Sequence, residues 1–133
     1  MKLGCGGGRT YKFTANDIAR LDQLRPMVTA IIHGDATGAD TEFENWALSR
    51  GIPEDQIKAF PAKWNDLTHP NAVIKYRRNG QPFDAAAGPR RNEEMAQYLD
   101  PAEDAVVIFP GGDGTADMYQ AAKRRGLKIY DFR

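Results

Sequence analysis

A chain of 133 residues is long enough for one domain with a single good core. Its 41% hydrophobic and 27% charged residues are ordinary for a soluble globular protein, and no apolar run approaches membrane-spanning length. Eighteen basic residues cancel eighteen acidic ones, which disfavours a nucleic-acid binder but leaves room for a local basic pocket.

Lys2 to Cys5 reads as a short first strand running into Gly6-Gly7-Gly8-Arg9. Met1-Lys2-Leu3 leads straight into those glycines, so no signal peptide is expected. Thr14 can cap a helix with Ile18, Leu21 and Leu24 on one face, ended by Pro26. Val28 to His33 is a second apolar strand, followed by Gly34-Asp35-Ala36-Thr37-Gly38-Ala39-Asp40. The next helix carries Phe43, Trp46 and Ala47 and stops at Gly51. Gln56 to Phe60 is a third strand, closed by Pro61. Residues 65–86 break the rhythm as an insert. Within 71–84, Ala72–Arg78, a two-residue Asn79-Gly80 turn and Gln81-Pro82-Phe83 predict a hairpin outside the main sheet, with Pro82 confining the second arm to an edge. Such an excursion suits a lid or a partner surface. Pro89 fits the first turn of a helix with Met95, Tyr98 and Leu99 on its apolar side. A strand at 104–109 follows, then a helix with Met118, Ala121 and Ala122 ending at Gly126, then a last strand at Leu127–Phe132. Strands alternating with helices predict an α/β domain over 1–133, a mainly parallel sheet of about five strands with helices on both faces.

The most informative stretch is Ala105–Phe109 with Pro110-Gly111-Gly112-Asp113-Gly114-Thr115. An apolar run ends at a proline, three glycines follow within four residues, and a helix opens. The glycines let a ligand approach the backbone, and the first helical N–H groups point at it without intrahelical partners. The segments at 6–9, 34–40, 61–64 and 110–115 each follow the carboxyl end of a strand, and in a parallel sheet those ends share one edge, where ligands bind. The residues expected to hold a ligand are Gly7, Gly8, Arg9, Gly34, Gly38, Asp40, Arg90, Arg91, Asn92, Pro110, Gly111, Gly112, Asp113, Gly114 and Thr115. Arg90 and Arg91 stand at a helix start, where the dipole opposes cations, so either a bound anion explains them or they are solvated and face Glu93 and Glu94. Asp40 and Asp113 suit ribose hydroxyls or helix caps, and Trp64 suits either base stacking or hairpin packing. His33 reads as a satisfied core residue, and Cys5 as a small buried one. The single cysteine excludes an internal disulfide and fits a reducing cytoplasm. Two histidines and one cysteine without close acidic spacing carry no metal-site signature, and no cofactor is expected.

Taken in order, Gly6-Gly7-Gly8-Arg9, His33–Asp40 with Trp46-Ala47, Phe60-Pro61-Ala62-Lys63-Trp64, Ala87–Met95 and Phe109–Met118 resemble the YspA/YpsA-related branch of the SLOG superfamily. That superfamily also contains the LOG cytokinin-activating phosphoribohydrolases and the DNA-processing protein DprA. The resemblance covers nearly the whole chain. It implies a Rossmann-like fold that binds a nucleotide or nucleotide-derived signal in the cytoplasm of a bacterium or phage host, and pairing as a homodimer. LOG enzymes carry Pro-Gly-Gly-x-Gly-Thr-x-x-Glu, whose glutamate takes part in glycosidic cleavage; this chain has Met118 there. Asp40, Glu93 or Glu94 would have to replace it. The phosphate cradle therefore carries over better than the catalysis. The expected function is nucleotide binding. The alternatives are a nucleoside-monophosphate phosphoribohydrolase-type N-glycosidase and a DprA-like single-stranded nucleic-acid binder.

Overall fold

Ala105–Ile108 bears only apolar side chains, and all four residues are buried, as a strand covered on both faces requires. The computed structural model describes residues 1–133. In chain order its elements are β1 (Lys2–Gly6), α1 (Ala15–Leu24), β2 (Ala30–His33), α2 (Ala39–Ser49), β3 (Ile57–Ala59), β4 (Ile74–Tyr76), β5 (Pro82–Asp84), α3 (Ala87–Tyr98), β6 (Ala105–Ile108), α4 (Asp113–Arg125) and β7 (Lys128–Asp131). Five strands form one parallel sheet in the order β3-β2-β1-β6-β7. This is the expected α/β architecture.

Alternation along the strands divides the core. Leu3, Cys5, Ile31 and Val107 pack with Leu21 of α1 and with Phe43 and Trp46 of α2 on one face. Ile32, Val106 and Ile108 pack with Met95 and Leu99 on the α3 side and with Met118 and Ala122 of α4 on the other. Helix α1 begins as its sequence predicts. Thr14 Oγ1 accepts the Asp17 N–H at 3.1 Å, and Asp17 Oδ2 accepts the Thr14 N–H at 2.9 Å, a reciprocal capping box.

The strand order reverses at β1. Chain from β1 moves outward through β2 and β3, then returns to lay β6 against β1's other side, with Gly6 opposite Ile108. The carboxyl ends of β1 and β6 therefore sit side by side at a topological switch point, where an open parallel sheet leaves a crevice.

Four strands are shorter than the sequence predicts, β6 and β7 by one residue at each end. Strand β2 begins at Ala30 because a 3-10 turn at Arg25–Met27 still holds the Val28 N–H on Arg25 O at 3.1 Å. Strand β3 begins at Ile57 because Glu54–Gln56 form a second such turn. Strands β4 and β5 pair antiparallel as a separate ribbon, so the expected hairpin is present. Its turn is one residue longer than the predicted two. The Gly80 N–H donates to Arg77 O, and the Arg77 N–H donates to Gln81 O, both at 2.9 Å. The two-residue type I′ turn that Asn-Gly favours needs positive φ at both central residues. Here only Gly80 has it, at +83°, while Asn79 instead accepts the Gln81 N–H on its side chain. The ribbon is tied down by Asp84, whose carboxylate is fully buried. Oδ1 accepts from the N–H groups of Val73 and Ala86 at 3.0 and 2.9 Å, and Oδ2 accepts from Arg90 at 3.0 Å. No helix is long and apolar enough to cross a membrane.

Candidate functional site

Three strand-end segments are laced together by backbone bonds. The Phe109 N–H donates to Gly6 O at 2.8 Å and the Gly8 N–H to Pro110 O at 2.9 Å, which joins the β1 and β6 turns. The Ala39 N–H donates to Gly8 O at 3.0 Å, and Thr37 Oγ1 to Arg9 O at 2.9 Å, which joins the β1 and β2 turns. Gly38 stands at φ +76° with the backbone of Gly8 and Arg9 pressed against the place of a Cβ, so both its conformation and its contact demand glycine.

Above this floor lies a cavity of about 610 Å³, within the range of small-molecule sites. One wall is the start of α4. Gly112 precedes the helix with no side-chain cap, and its carbonyl takes the Ala116 N–H at 3.1 Å. The N–H groups of Asp113, Gly114 and Thr115 are left without intrahelical partners. Thr115 is only 4% exposed, yet its Oγ1 makes no hydrogen bond within the chain, and the residue lines the cavity. Gly111 packs so close to this hydroxyl and to the Gly8 nitrogen that no Cβ would fit.

The opposite wall is α3. At Gly88 a Cβ would lie 2.5 Å from Trp64 Cη2, so this glycine lets the indole rest on the helix. Arg91 donates through Nη1 to Gly34 O and, at 3.3 Å, to Phe60 O, and through Nε to Asn92 Oδ1 at 3.0 Å. Asn92 passes the link on, donating to Asp117 Oδ2 at 2.9 Å and to Gly114 O at 3.4 Å. Helix α3, the β2 turn and the start of α4 are thereby fixed together. Burial lowers the Arg91 pKa from its ordinary value, and the Arg9 charge adds to the effect while Asp40 opposes it. The Arg9 guanidinium sits 5.3 Å from the Trp64 ring centroid, a cation–π contact at the cavity mouth.

At the floor, buried Asp40 accepts the N–H groups of Gly34 at 3.1 Å and Ala36 at 3.3 Å. Burial raises its pKa above the usual carboxylate range, against the lowering effect of those bonds and of His33 and Arg91. Cys5 lies beside it, and burial with the neighbouring carboxylate raises its thiol well above the ordinary value, so it stays protonated and unreactive at neutral pH. His33 Nδ1 accepts the Asp35 N–H at 2.9 Å, which assigns the proton to Nε2, facing Glu44 Oε1 at 3.3 Å. It is the satisfied buried residue its position predicts. Asp35 itself adopts φ +56°, an uncommon left-handed conformation for a side chain other than glycine.

The structure brings Gly7, Gly8, Arg9, Gly34, Asp40, Arg91, Asn92, Gly112, Asp113, Gly114 and Thr115 to the cavity. Gly38, Pro110 and Gly111 build its frame from behind. Three expected residues point elsewhere. Arg90 pairs with Asp84 under the hairpin, Glu93 pairs with Arg124, and Glu94 is exposed. The reason is helical period. Gly88, Arg91, Asn92 and Met95 follow i, i+3, i+4, i+7 on the cavity side of α3, and Arg90, Glu93 and Glu94 fall off that face. Asp40 caps nothing; it pins the 34–36 loop. Trp64 packs on Gly88 and edge-on against Phe83 of the hairpin, and the residue also lines the cavity. Asp117 escaped the sequence reading, although it stands one turn after Asp113 on the same helix face. No three His, Cys, Asp or Glu side chains converge as metal ligands would. Compared with known proteins, the chain matches no family model and no curated protein.

Proposed function

We propose that this chain binds a nucleotide or nucleotide-derived small molecule, holding a phosphate at the start of α4. The observation that carries the reading is Thr115. A hydroxyl on a residue only 4% exposed, facing the cavity with no hydrogen bond within the chain and standing beside three free helical N–H groups, is a set of donors suited to an anion. Trp64 and Met95 offer apolar surface for a base in the same cavity. The likeness of the strand-end motifs to the SLOG superfamily supports the same ligand class, and with it a cytoplasmic sensor or processing protein of a bacterium or phage.

The test is a thermal-shift panel of nucleoside mono-, di- and triphosphates on the purified chain, followed by titration calorimetry. At one hundred times the dissociation constant, a true ligand stabilises the fold by about 2.7 kcal/mol. Thr115→Val keeps the shape of the side chain and removes the hydroxyl. It should weaken binding at least tenfold without lowering the melting temperature of the free protein. Unchanged affinity in that variant would refute the cradle.

A second reading, nucleotide N-glycosidase, has one observation in its favour. Asp40 lines the cavity with its ionisation suppressed by burial, as a general acid for a leaving base requires. Cleavage also needs a group that stabilises positive charge on the sugar, and the thioether of Met118 supplies none. Hydrolysis of bound nucleoside monophosphates is therefore expected to be slow or absent. Chromatography of free base, with Asp40→Asn as the control, checks this.

A further inference from the structure

We propose that the ligand carries two anionic groups, one at the start of α4 and the second between Arg9 and Arg91. The proposal rests on the phosphate reading above and extends it to the class of ligand.

Arg9 and Arg91 are the two guanidiniums at the cavity, and neither forms an ion pair within the chain. Their neighbour Arg90 shows the contrast, since its charge is matched by buried Asp84 at 3.0 Å. Arg91 is held rigidly. Its Nε and Nη1 are committed to Asn92 Oδ1, Gly34 O and Phe60 O, while Nη2 makes no hydrogen bond. A fixed guanidinium with one open nitrogen is preorganised for an oxyanion. The Arg9 charge works against that of Arg91, while Asp40, the stronger influence, and then Asp117 and Asp35 favour it without forming an ion pair with the guanidinium. Asp40 is already engaged by two backbone N–H groups. An oxyanion between the two arginines would give Arg91 Nη2 the partner it lacks.

Space for the rest of such a ligand adjoins the pair. A second cavity of about 230 Å³ lies against the first. Arg9, Arg91 and Trp64 line both. Pro61 and Ala62 line it together with Asp35 and Thr37, giving a slot of mixed polar and apolar character beside the indole. The second anion therefore sits at the junction of the two cavities, with room beyond it for a further ring. Two molecules share this chemistry: a nucleoside phosphorylated at both ends, and two nucleosides joined through a pyrophosphate.

Titration calorimetry on the intact chain separates them. The probes are the 5′-monophosphates of the four common ribonucleosides, their 3′,5′-bisphosphates, and the corresponding symmetrical 5′,5′-pyrophosphate dinucleotides. One of the two-anion classes should bind at least tenfold more tightly than its monophosphate, and the preferred class identifies the source. Arg9→Gln, at an exposed side chain, should fold normally and reduce that preference to less than threefold. Thr115→Val should weaken every probe and keep the ratio. Equal affinity for one-anion and two-anion probes, or a preference that survives Arg9→Gln, overturns the proposal and leaves the phosphate reading standing. Failure of every probe to bind overturns both.

Discussion

Single positions at the strand ends differ sharply in what they tolerate. Gly111 and Gly112 are neighbours in one loop, yet only the first is confined. A Cβ at 111 meets the Thr115 hydroxyl and the Gly8 nitrogen at 2.7 Å, whereas nothing lies within 4 Å of one at 112. Gly111→Ala should therefore destabilise the fold by about 1–3 kcal/mol, the usual range for overpacking. Gly112→Leu should leave the melting temperature nearly unchanged while blocking the cavity, so calorimetry would lose the ligand without loss of fold. Asp40 gives a second prediction. Its folded pKa is raised, so ionisation is less favourable in the folded chain than in the unfolded one. That penalty is absent below the ordinary carboxylate pKa of about 4 and grows as pH rises through the folded value. Asp40→Asn retains an oxygen for the Gly34 and Ala36 N–H groups. It should match the native chain in stability near pH 3 and exceed it at pH 8, as chemical denaturation at the two pH values would reveal.

Among the elements, the β4–β5 ribbon is held to the rest of the chain at few points. The Asp84 N–H donates to Trp64 O at 2.7 Å, the Ala85 N–H to Val73 O at 2.8 Å, and the buried carboxylate gathers Val73, Ala86 and Arg90. Val73, Ile74 and Tyr76 remain exposed, so apolar burial contributes little. Asp84→Asn removes the charge that pairs with Arg90 and cannot accept so many bonds. Hydrogen exchange should then show the amides of 73–86 opening well before the main sheet. Because Trp64 is tied to the same junction, ligand affinity should fall as well. Gly80→Ala acts only at the tip, placing a side chain in the left-handed region at a cost of about 1 kcal/mol. Its effect should stay within the ribbon and leave binding intact.

At the scale of the whole molecule, the site and the core share residues. Phe109 is fully buried, stacks on Phe13 at 4.3 Å between centroids, and lies against Gly7 beneath the cavity. Phe109→Ala should cost about 3–5 kcal/mol, a large share of the roughly 5–15 kcal/mol that stabilises a typical domain. Denaturant melts would show the loss in the midpoint. Met118 belongs equally to the core and the cavity, so Met118→Glu would place a carboxylate among Met95, Ile108 and Ala122 rather than restore a catalytic group. Acid sensitivity is a property of the whole chain. The N–H of Val73 is the largest influence holding Asp84 below the usual carboxylate range. At Asp17 and Asp104 burial works the other way, but hydrogen bonds from Tyr11 and Thr14, and from the N–H groups of Asp100 and Lys2, outweigh it. Depressed folded pKa values stabilise fully above pH 4 or so and lose their effect as pH falls through the folded values. Apart from the opposite and separately tested contribution of Asp40, stability should thus be lost steeply as pH falls below about 4, as thermal melts between neutrality and pH 3 would show.

Local chemistry was enough to determine the frame. The apolar run at 105–108, the capping box at Thr14 and the alternation of strands and helices each depend on near neighbours, and parallel strands then force the turns at 6–9, 34–40, 61–64 and 110–115 onto one edge. The cradle at Gly112–Thr115 was legible for the same reason, since strand, glycines and helix start are contiguous in the chain. Partnership across the fold was not legible. Arg90 and Arg91 are adjacent and chemically identical in sequence. Only the rotation of α3 sends one to Asp84 and the other to Gly34 O, because a step of about 100° per residue separates their faces. The same rotation removes Glu93 and Glu94 from the cavity and brings in Met95, and the register of α4 adds Asp117. The Thr115 hydroxyl facing the cavity, the raised Asp40 carboxyl and the placing of Arg9 and Arg91 along one cavity exist only once distant segments meet, and meetings of that kind are decided by the tertiary structure alone.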